Sequence, residues 1–244
     1  NSILPVLVAL FIGAVIMLCM GFNPLEAYGI MFGRSLFTMK GLTNTLHTAS
    51  PLILTGLAIA VTFRANLFNM GVEGQLLFGG FIAGLVGAYV PVGSPILHKV
   101  LCFAAAVAAG MLFALLPALL RAYLRVDEMV VTLTLNYVMM TVLEFLSSGP
   151  FRDQGAGYVA TPVIQKTAMF QRIGATRLTP FFILSLLVFL ILWILIRKTS
   201  FGYKIEAIGK NPKFSEATGI RVRKSIMQLM LISGALAGFA GAGH

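Results

Sequence analysis

Seven long apolar runs constrain the fold of this chain more than any other feature of its sequence. Each needs about 20 residues to cross ~30 Å of hydrocarbon as a helix. The runs are too long for strands and show no period-two alternation. We therefore predict an all-α, polytopic transmembrane helical bundle with about seven visible spans. They fall at approximately 3–20, 47–63, 72–90, 97–119, 128–146, 180–196 and 225–243, and the last is cut off by the end of the sequence.

The composition agrees with a membrane location. Of 244 residues, 58% are hydrophobic and 11% are charged, whereas soluble domains carry roughly 25% charged residues. One soluble core could not bury so much apolar surface. The formal net charge is +10, but the basic residues lie between apolar runs. We attribute them to membrane topology and expect lipid, not nucleic acid, as the surrounding partner.

The segment 197–224 sets the predicted orientation, because it holds eight basic residues against Glu206 and Glu216. Basic loops stay in the cytoplasm. Counting back, we expect Arg64, Arg121 and Arg125 on the same side and the 147–179 connection outside. The topology near 23–75 is left open. If the chain breaks inside the membrane at 64–75 and does not cross it there, the segments before the break lie on the opposite side from the one counted here.

Polar residues interrupt two apolar runs at 64–75. This segment contains Asn66, Asn69, Glu73 and Gln75 together with Arg64. Polar side chains at membrane depth usually face a cavity or a partner, and irregular backbone there must be covered by protein or water. Two interpretations are open: an ordinary short cytoplasmic turn, or a discontinuous helix that lines a substrate path.

A second polar stretch opens the run at 128–146. Asp127 and Glu128 complement the positive end of the helix dipole. Thr132 and Asn136 are four residues apart and so share one helix face. Inside a membrane Asn136 needs a partner, which is either another helix or a solute.

A third feature is a short helix predicted within the basic segment. Asn211 is a favourable N-cap, Pro212 suits the first helical position and Gly219 suits the position after the helix ends. So short a helix is marginal alone. We expect it to dock through Phe214 and Ile220, the alternative being a solvated loop with incidental caps.

The same three segments carry a resemblance. Residues 68–75, Phe-Asn-Met-Gly-Val-Glu-Gly-Gln, resemble the signature of nucleoside-type ABC importer permeases, with Met70 where Ile is more usual. These belong to a larger family that also serves ribose-like sugars and branched-chain amino acids. Residues 132–137 are similar to a second segment of those permeases, and 206–220 to their cytoplasmic coupling loop, with a departure at Phe214 and Ser215.

The resemblance implies a function and a set of site residues. It implies a single permease domain over 1–244, incomplete at its C-terminus, with 197–224 as a coupling loop and further helices in the family fold. It implies a transport subunit rather than an enzyme, in the bacterial plasma membrane. The substrate path would use Asn66, Asn69, Glu73, Gln75, Thr132 and Asn136. The coupling to the ATPase would use Glu206, Gly209, Asn211, Pro212, Phe214, Ala217 and Gly219.

Partners follow from the same resemblance. They are ABC ATPase subunits, a second permease subunit that is identical or paired, an extracytoplasmic solute-binding protein and a nucleoside-like solute. ATP and Mg²⁺ would be bound by the ATPase, because this chain has no phosphate-binding loop, and no cofactor is expected on the chain itself. The alternatives are a permease for another solute, such as a simple sugar or riboflavin, and an ion-coupled secondary carrier.

Overall fold

A computed structural model describes residues 3–174 and 176–243, and within these ranges it contains ten helices and no strand. The predicted all-α architecture is confirmed. The helices are α1 (Ile3–Cys19), α2 (Pro24–Leu36), α3 (Met39–Phe63), α4 (Val72–Tyr89), α5 (Pro95–Leu124), α6 (Glu128–Ser148), α7 (Phe181–Lys198), α8 (Ser200–Lys210), α9 (Pro212–Ala217) and α10 (Val222–Gly243). Residues 1, 2, 175 and 244 of the predicted domain lie outside the described ranges.

Six of these helices are long and apolar enough to cross a membrane: α3, α4, α5, α6, α7 and α10. The first predicted span corresponds to α1, a shorter apolar helix of 17 residues. Two helices were not predicted, α2 and α8. Both are short and carry charges, and both begin at a side-chain cap: Asn23 accepts from the Leu25 amide, and Thr199 accepts from the Phe201 amide.

The chain divides into two compact units. The smaller comprises the residues up to 48 together with 172–179, and the larger comprises 49–171 and the residues from 180 onward. In the smaller unit, the Tyr28 hydroxyl donates to the Leu10 carbonyl at 2.7 Å and so joins α2 to α1. The larger unit contains all three polar segments singled out in the sequence.

Helix α10 packs against α4 and α5 at the centre of the larger unit. The approach is close because glycines face backbone: a Cβ on Gly238 would lie 2.2 Å from the Ala106 carbonyl oxygen, and one on Gly234 would lie 2.4 Å from that of Gly110. Small residues allow this contact between membrane helices.

The helices of the larger unit have two distinguishable ends, and the predicted assignment of one of them to the cytoplasm stays a prediction. At one end, Arg121 pairs with Glu128, and α8 contacts the backbone of Arg64. At the end of α4 remote from the break, Gln165 donates from its backbone amide to Gly87 (2.9 Å) and from its side chain to Ala88 (3.1 Å). The connection after α6 therefore lies at the opposite end from the basic segment.

Candidate solute path and coupling segment

The chain leaves helical geometry between α3 and α4, at residues 64–71. Within this turn, Asn66 has a φ of 55°, in the left-handed region that asparagine tolerates better than most residues. Ala65 and Leu67 on either side are buried. Where an irregular segment is buried, its backbone amides and carbonyls need partners within the protein, because water is not there to supply them.

Helix α6 supplies most of those partners from one face. Glu128, Thr132 and Asn136 are spaced by four residues, and all three are buried. The carboxylate of Glu128 accepts from the Phe68 amide (3.1 Å), Thr132 Oγ1 accepts from the Met70 amide (3.1 Å), and Asn136 accepts from the Gly74 amide (2.9 Å) while donating to the Met70 carbonyl (2.6 Å). These three side chains substitute for the helical hydrogen bonds that the break lacks.

A second, fully buried network ties the break to α3 and α10. Asn69 Nδ2 donates to Gln75 Oε1 (3.1 Å) and to Ser233 Oγ (2.8 Å), and Asn69 Oδ1 accepts from the Gly71 amide (3.0 Å). Ser233 in turn donates to the Ala58 carbonyl at 2.8 Å. Buried polar groups that satisfy one another in this way fix a single arrangement of the surrounding helices.

Glu128 also carries the only ion pair of the larger unit's membrane helices among the described residues. Its Oε2 lies 3.0 Å from Nε of Arg121 on α5. The sequence placed Asp127 and Glu128 together as acids at a helix start, but their roles differ. Asp127 caps α6 by accepting from the Met129 amide at 2.8 Å, whereas Glu128 turns inward to the break. The spacing of four from Thr132 and Asn136 was the signal for that role.

The structure brings together four of the six residues predicted for the solute path. Asn69, Gln75, Thr132 and Asn136 lie buried around the break, and their polar groups bond within the chain. Asn66 and Glu73 are exposed and stand outside these networks. The assignment of the six to a solute path stays a prediction.

The short helix predicted in the basic segment is present as α9. Asn211 Oδ1 accepts from the Phe214 amide at 3.0 Å, Pro212 occupies the first turn, and Gly219 has a φ of 87° just beyond the helix. Phe214 is 65% exposed. Ile220 does not share that exposure: it packs inward against the apolar cluster around Ile205 and Leu229. Only Phe214 of the two residues expected to dock is available to a partner.

Helix α8 connects α9 to the break. Ile205 and Ile208 of α8 are buried with Ala65 and Leu67 in one apolar cluster. Gly209, one of the predicted coupling residues, sits against the backbone of Arg64. Glu206, another, lies on the solvent side and pairs with Lys210 at 3.0 Å. The hydrogen bond and charge of Lys210 lower the pKa of Glu206. Of the remaining coupling residues, Ala217 is exposed at the end of α9.

Comparison with known proteins decides the family. The family model described as branched-chain amino acid transport system / permease component matches residues 41–243. The matched range includes the break, α6 and α9. The chain belongs to this permease family. The permease family inferred from the resemblance is thereby confirmed. The protein is a multi-pass cell membrane permease, a transport subunit rather than an enzyme.

Curated relatives of this permease include two from nucleoside transporters. It is 35% identical to a guanosine ABC transporter permease of Bacillus subtilis, covering 98% of this chain and 70% of the relative. It is 31% identical to a nucleoside ABC transporter permease of Lactococcus lactis (94% and 66%) and 29% identical to a glucose ABC transporter permease of Haloferax volcanii (99% and 66%). The permease thus spans about two thirds of the length of these relatives. No solved structure matches it.

Proposed function

We propose that this chain is the membrane-spanning subunit of an ATP-driven ABC importer that moves nucleosides across the bacterial plasma membrane by alternating access. The observation that carries the proposal is the likeness to two nucleoside-transporter permeases along 98% and 94% of the chain. The amide and hydroxyl groups around the break are hydrogen-bonded within the chain, so they position the helices and do not distinguish a nucleoside from a sugar.

The proposed transporter needs several further chains. ABC ATPase subunits bind and hydrolyse Mg-ATP, since this chain has no nucleotide-binding motif. A second permease subunit, either an identical copy or a different chain, completes the path. An extracytoplasmic solute-binding protein delivers the nucleoside. The chain itself binds no cofactor in this scheme.

The ATPase acts on this chain through α9. Phe214 projects from a helix that is held at both ends, by the Asn211 cap and by the turn at Gly219. An exposed aromatic side chain on a rigid element is the kind of anchor on which interface affinity concentrates. Movement of α9 reaches the break through α8, because α8 and the break share one buried cluster.

The break then redirects that movement to the solute path. Its backbone is hydrogen-bonded to one face of α6, so a shift of residues 64–71 changes the positions of α6 and α4. In this scheme the four buried polar residues position the path. Asn66 and Glu73, which are exposed at its cytoplasmic end, meet the leaving solute.

Transport of another solute is the second candidate, and specific likenesses favour it. One relative is a glucose permease, and another, 27% identical over 99% of the chain, is a probable riboflavin import permease of Treponema pallidum. The family therefore does not by itself fix the solute.

Uptake by the reconstituted importer tests the proposal. The full-length permease, purified with its ATPase and binding protein, is placed in liposomes, and entry of radiolabelled guanosine is followed with and without internal Mg-ATP. We expect ATP-dependent uptake that excess unlabelled nucleoside abolishes and that glucose or riboflavin leaves unchanged. Inhibition by glucose or riboflavin alone would assign another solute, and uptake driven by an ion gradient without ATP would contradict an ABC importer.

A further inference from the structure

Helix α6 carries a row of polar side chains on the face opposite to the one that holds the break. Thr134 is two residues from both Thr132 and Asn136, which places it roughly 200° around the helix from them. Further polar residues follow Thr134 at intervals of three or four and so share its face. This polar face consists of five residues, all of them exposed: Thr134, Tyr137, Thr141, Glu144 and Ser148.

The neighbouring membrane helices do not have such a face. Every exposed residue of α7 from 183 to 194, and of α5 from 96 to 119, has an aliphatic or aromatic side chain. These are the surfaces that contact with lipid favours. The polar face of α6 therefore has a different surrounding from the exposed faces of α5 and α7.

Tyr137 and Glu144 argue most strongly against a lipid surrounding. Helix α6 is long and apolar enough to cross the membrane, and Tyr137 is the tenth of its 21 residues with 66% of its surface exposed. Glu144 belongs to neither ion pair formed within 3–174 and 176–243. Polar and charged side chains of membrane helices almost always face the interior of a bundle or a water-filled cavity.

We propose that the polar face of α6 lines the water-filled solute path and contacts the solute, an inference that rests on the proposed transport function. A transport subunit needs such a path, whereas the buried polar residues around the break already bond within the chain. The hydroxyl groups of this face suit an uncharged polar solute. Helix α6 contains no basic residue, and the carboxylate of Glu144 repels anions. The ring of Tyr137 offers a surface on which the base of a nucleoside stacks.

Thiol labelling of the full-length importer in nanodiscs tests the polar face, because both sides are then open to the reagent. Cys19 and Cys102 are replaced by alanine, and Thr141→Cys is treated with a methanethiosulfonate that bears a trimethylammonium group and does not enter lipid. Val142→Cys is the matched control: Val142 is 40% exposed but lies roughly 100° around the helix from Thr141. The thiolate is the reactive form and is disfavoured in apolar surroundings, so the rate reports whether each position is in water.

We expect Thr141→Cys to react at least about tenfold faster than Val142→Cys, and saturating guanosine to slow its reaction. Equal rates would overturn the proposal, since the polar face would then be no wetter than its neighbour. Glucose and riboflavin are tested as protectants in parallel arms. Protection by one of them in place of guanosine would keep the polar face in the path and contradict the nucleoside. Fast labelling that none of the three solutes slows would place the face outside the path and overturn the proposal.

Tyr137→Leu tests the stacking contact separately. Loss of the ring should raise the guanosine concentration that half-saturates uptake by about tenfold, and because Tyr137 is exposed, leucine leaves the packing of α6 intact. Tyr137→Phe keeps the ring and should stay near the wild-type value. Equal shifts in the two variants, or no shift in Tyr137→Leu, would overturn the stacking contact.

Discussion

Gly209 of α8 lies directly against the carbonyl oxygen of Arg64, where the break between α3 and α4 begins. A Cβ built on Gly209 would stand 2.2 Å from that oxygen and 3.2 Å from Cα of Ala65. Only glycine permits this approach, because the obstacle is backbone and cannot rotate away. Helix α8, which leads into α9, is therefore in direct contact with the break, and the break is hydrogen-bonded to α6.

Replacing Asn136 should destabilise the fold. In Asn136→Leu the Gly74 amide and the Met70 carbonyl lose their bonds to this side chain, and we expect the free energy of unfolding to fall by about 1–3 kcal/mol. Thr134→Val is the control, since Thr134 is exposed and its hydroxyl bonds within its own helix. Thermal unfolding in detergent compares them. Equal melting temperatures for the two variants would show that Asn136 does not hold the break.

Two glycines on facing helices should respond differently to alanine. Gly238→Ala would push a methyl group into the Ala106 carbonyl, whereas a Cβ on Gly84 meets nothing within 4 Å. Overpacking of this kind costs about 1–3 kcal/mol, and alanine favours a helix over glycine. We predict a lower melting temperature for Gly238→Ala and no decrease for Gly84→Ala. A neutral Gly238→Ala would mean that α10 can move away from α5 at little cost.

Removing the exposed aromatic ring of α9 should weaken the association with the ATPase. For Phe214→Ser we expect the dissociation constant of the ATPase to rise tenfold or more, about what an aromatic anchor contributes. Tyr158→Ser is the control, because Tyr158 is 74% exposed in the connection assigned to the outer side. Both can be measured by titrating labelled ATPase onto the permease in nanodiscs. Unaltered affinity in Phe214→Ser would remove α9 from the interface.

Glu206 should matter little to stability despite its place among the predicted coupling residues. Lys210 lowers its pKa, so the pair stabilises the fold above the ordinary carboxyl pKa, and this contribution is lost as the pH falls through the folded value. Because both groups are exposed, the contribution is small and screened by salt. We predict no resolvable change in melting temperature for Glu206→Gln at neutral pH. A large loss that persists in high salt would show that Glu206 has another partner.

The long apolar runs predicted the membrane helices because their length and composition admit no other fold. Helices α2 and α8 escaped prediction for the opposite reason: they are short, and their apolar residues do not form a run. The caps of α9 were predictable since Asn211, Pro212 and Gly219 act on their own backbone. Local rules of this kind need no knowledge of the tertiary fold.

The site was predictable only where its residues are close in sequence. Thr132 and Asn136 could be placed on one face by their spacing, and the same spacing extends to Glu128. The hydrogen bond from Asn69 to Ser233 joins residues 164 positions apart, and no sequence pattern predicts it. The contact of Gly209 with Arg64 is of the same kind, because it depends on how α8 folds back on the end of α3.

The ratio of ATP hydrolysed to nucleoside imported by Gly209→Ala tests the central claim most directly. In proteoliposomes that contain the complete importer, we predict that this variant hydrolyses ATP but imports several times less guanosine per ATP than the wild type, because α8 is forced off the break. Gly56→Ala, at a position in α3 where a Cβ meets nothing within 4 Å, should keep the wild-type ratio. An unchanged ratio in Gly209→Ala, with the subunits assembled, would contradict coupling through this contact.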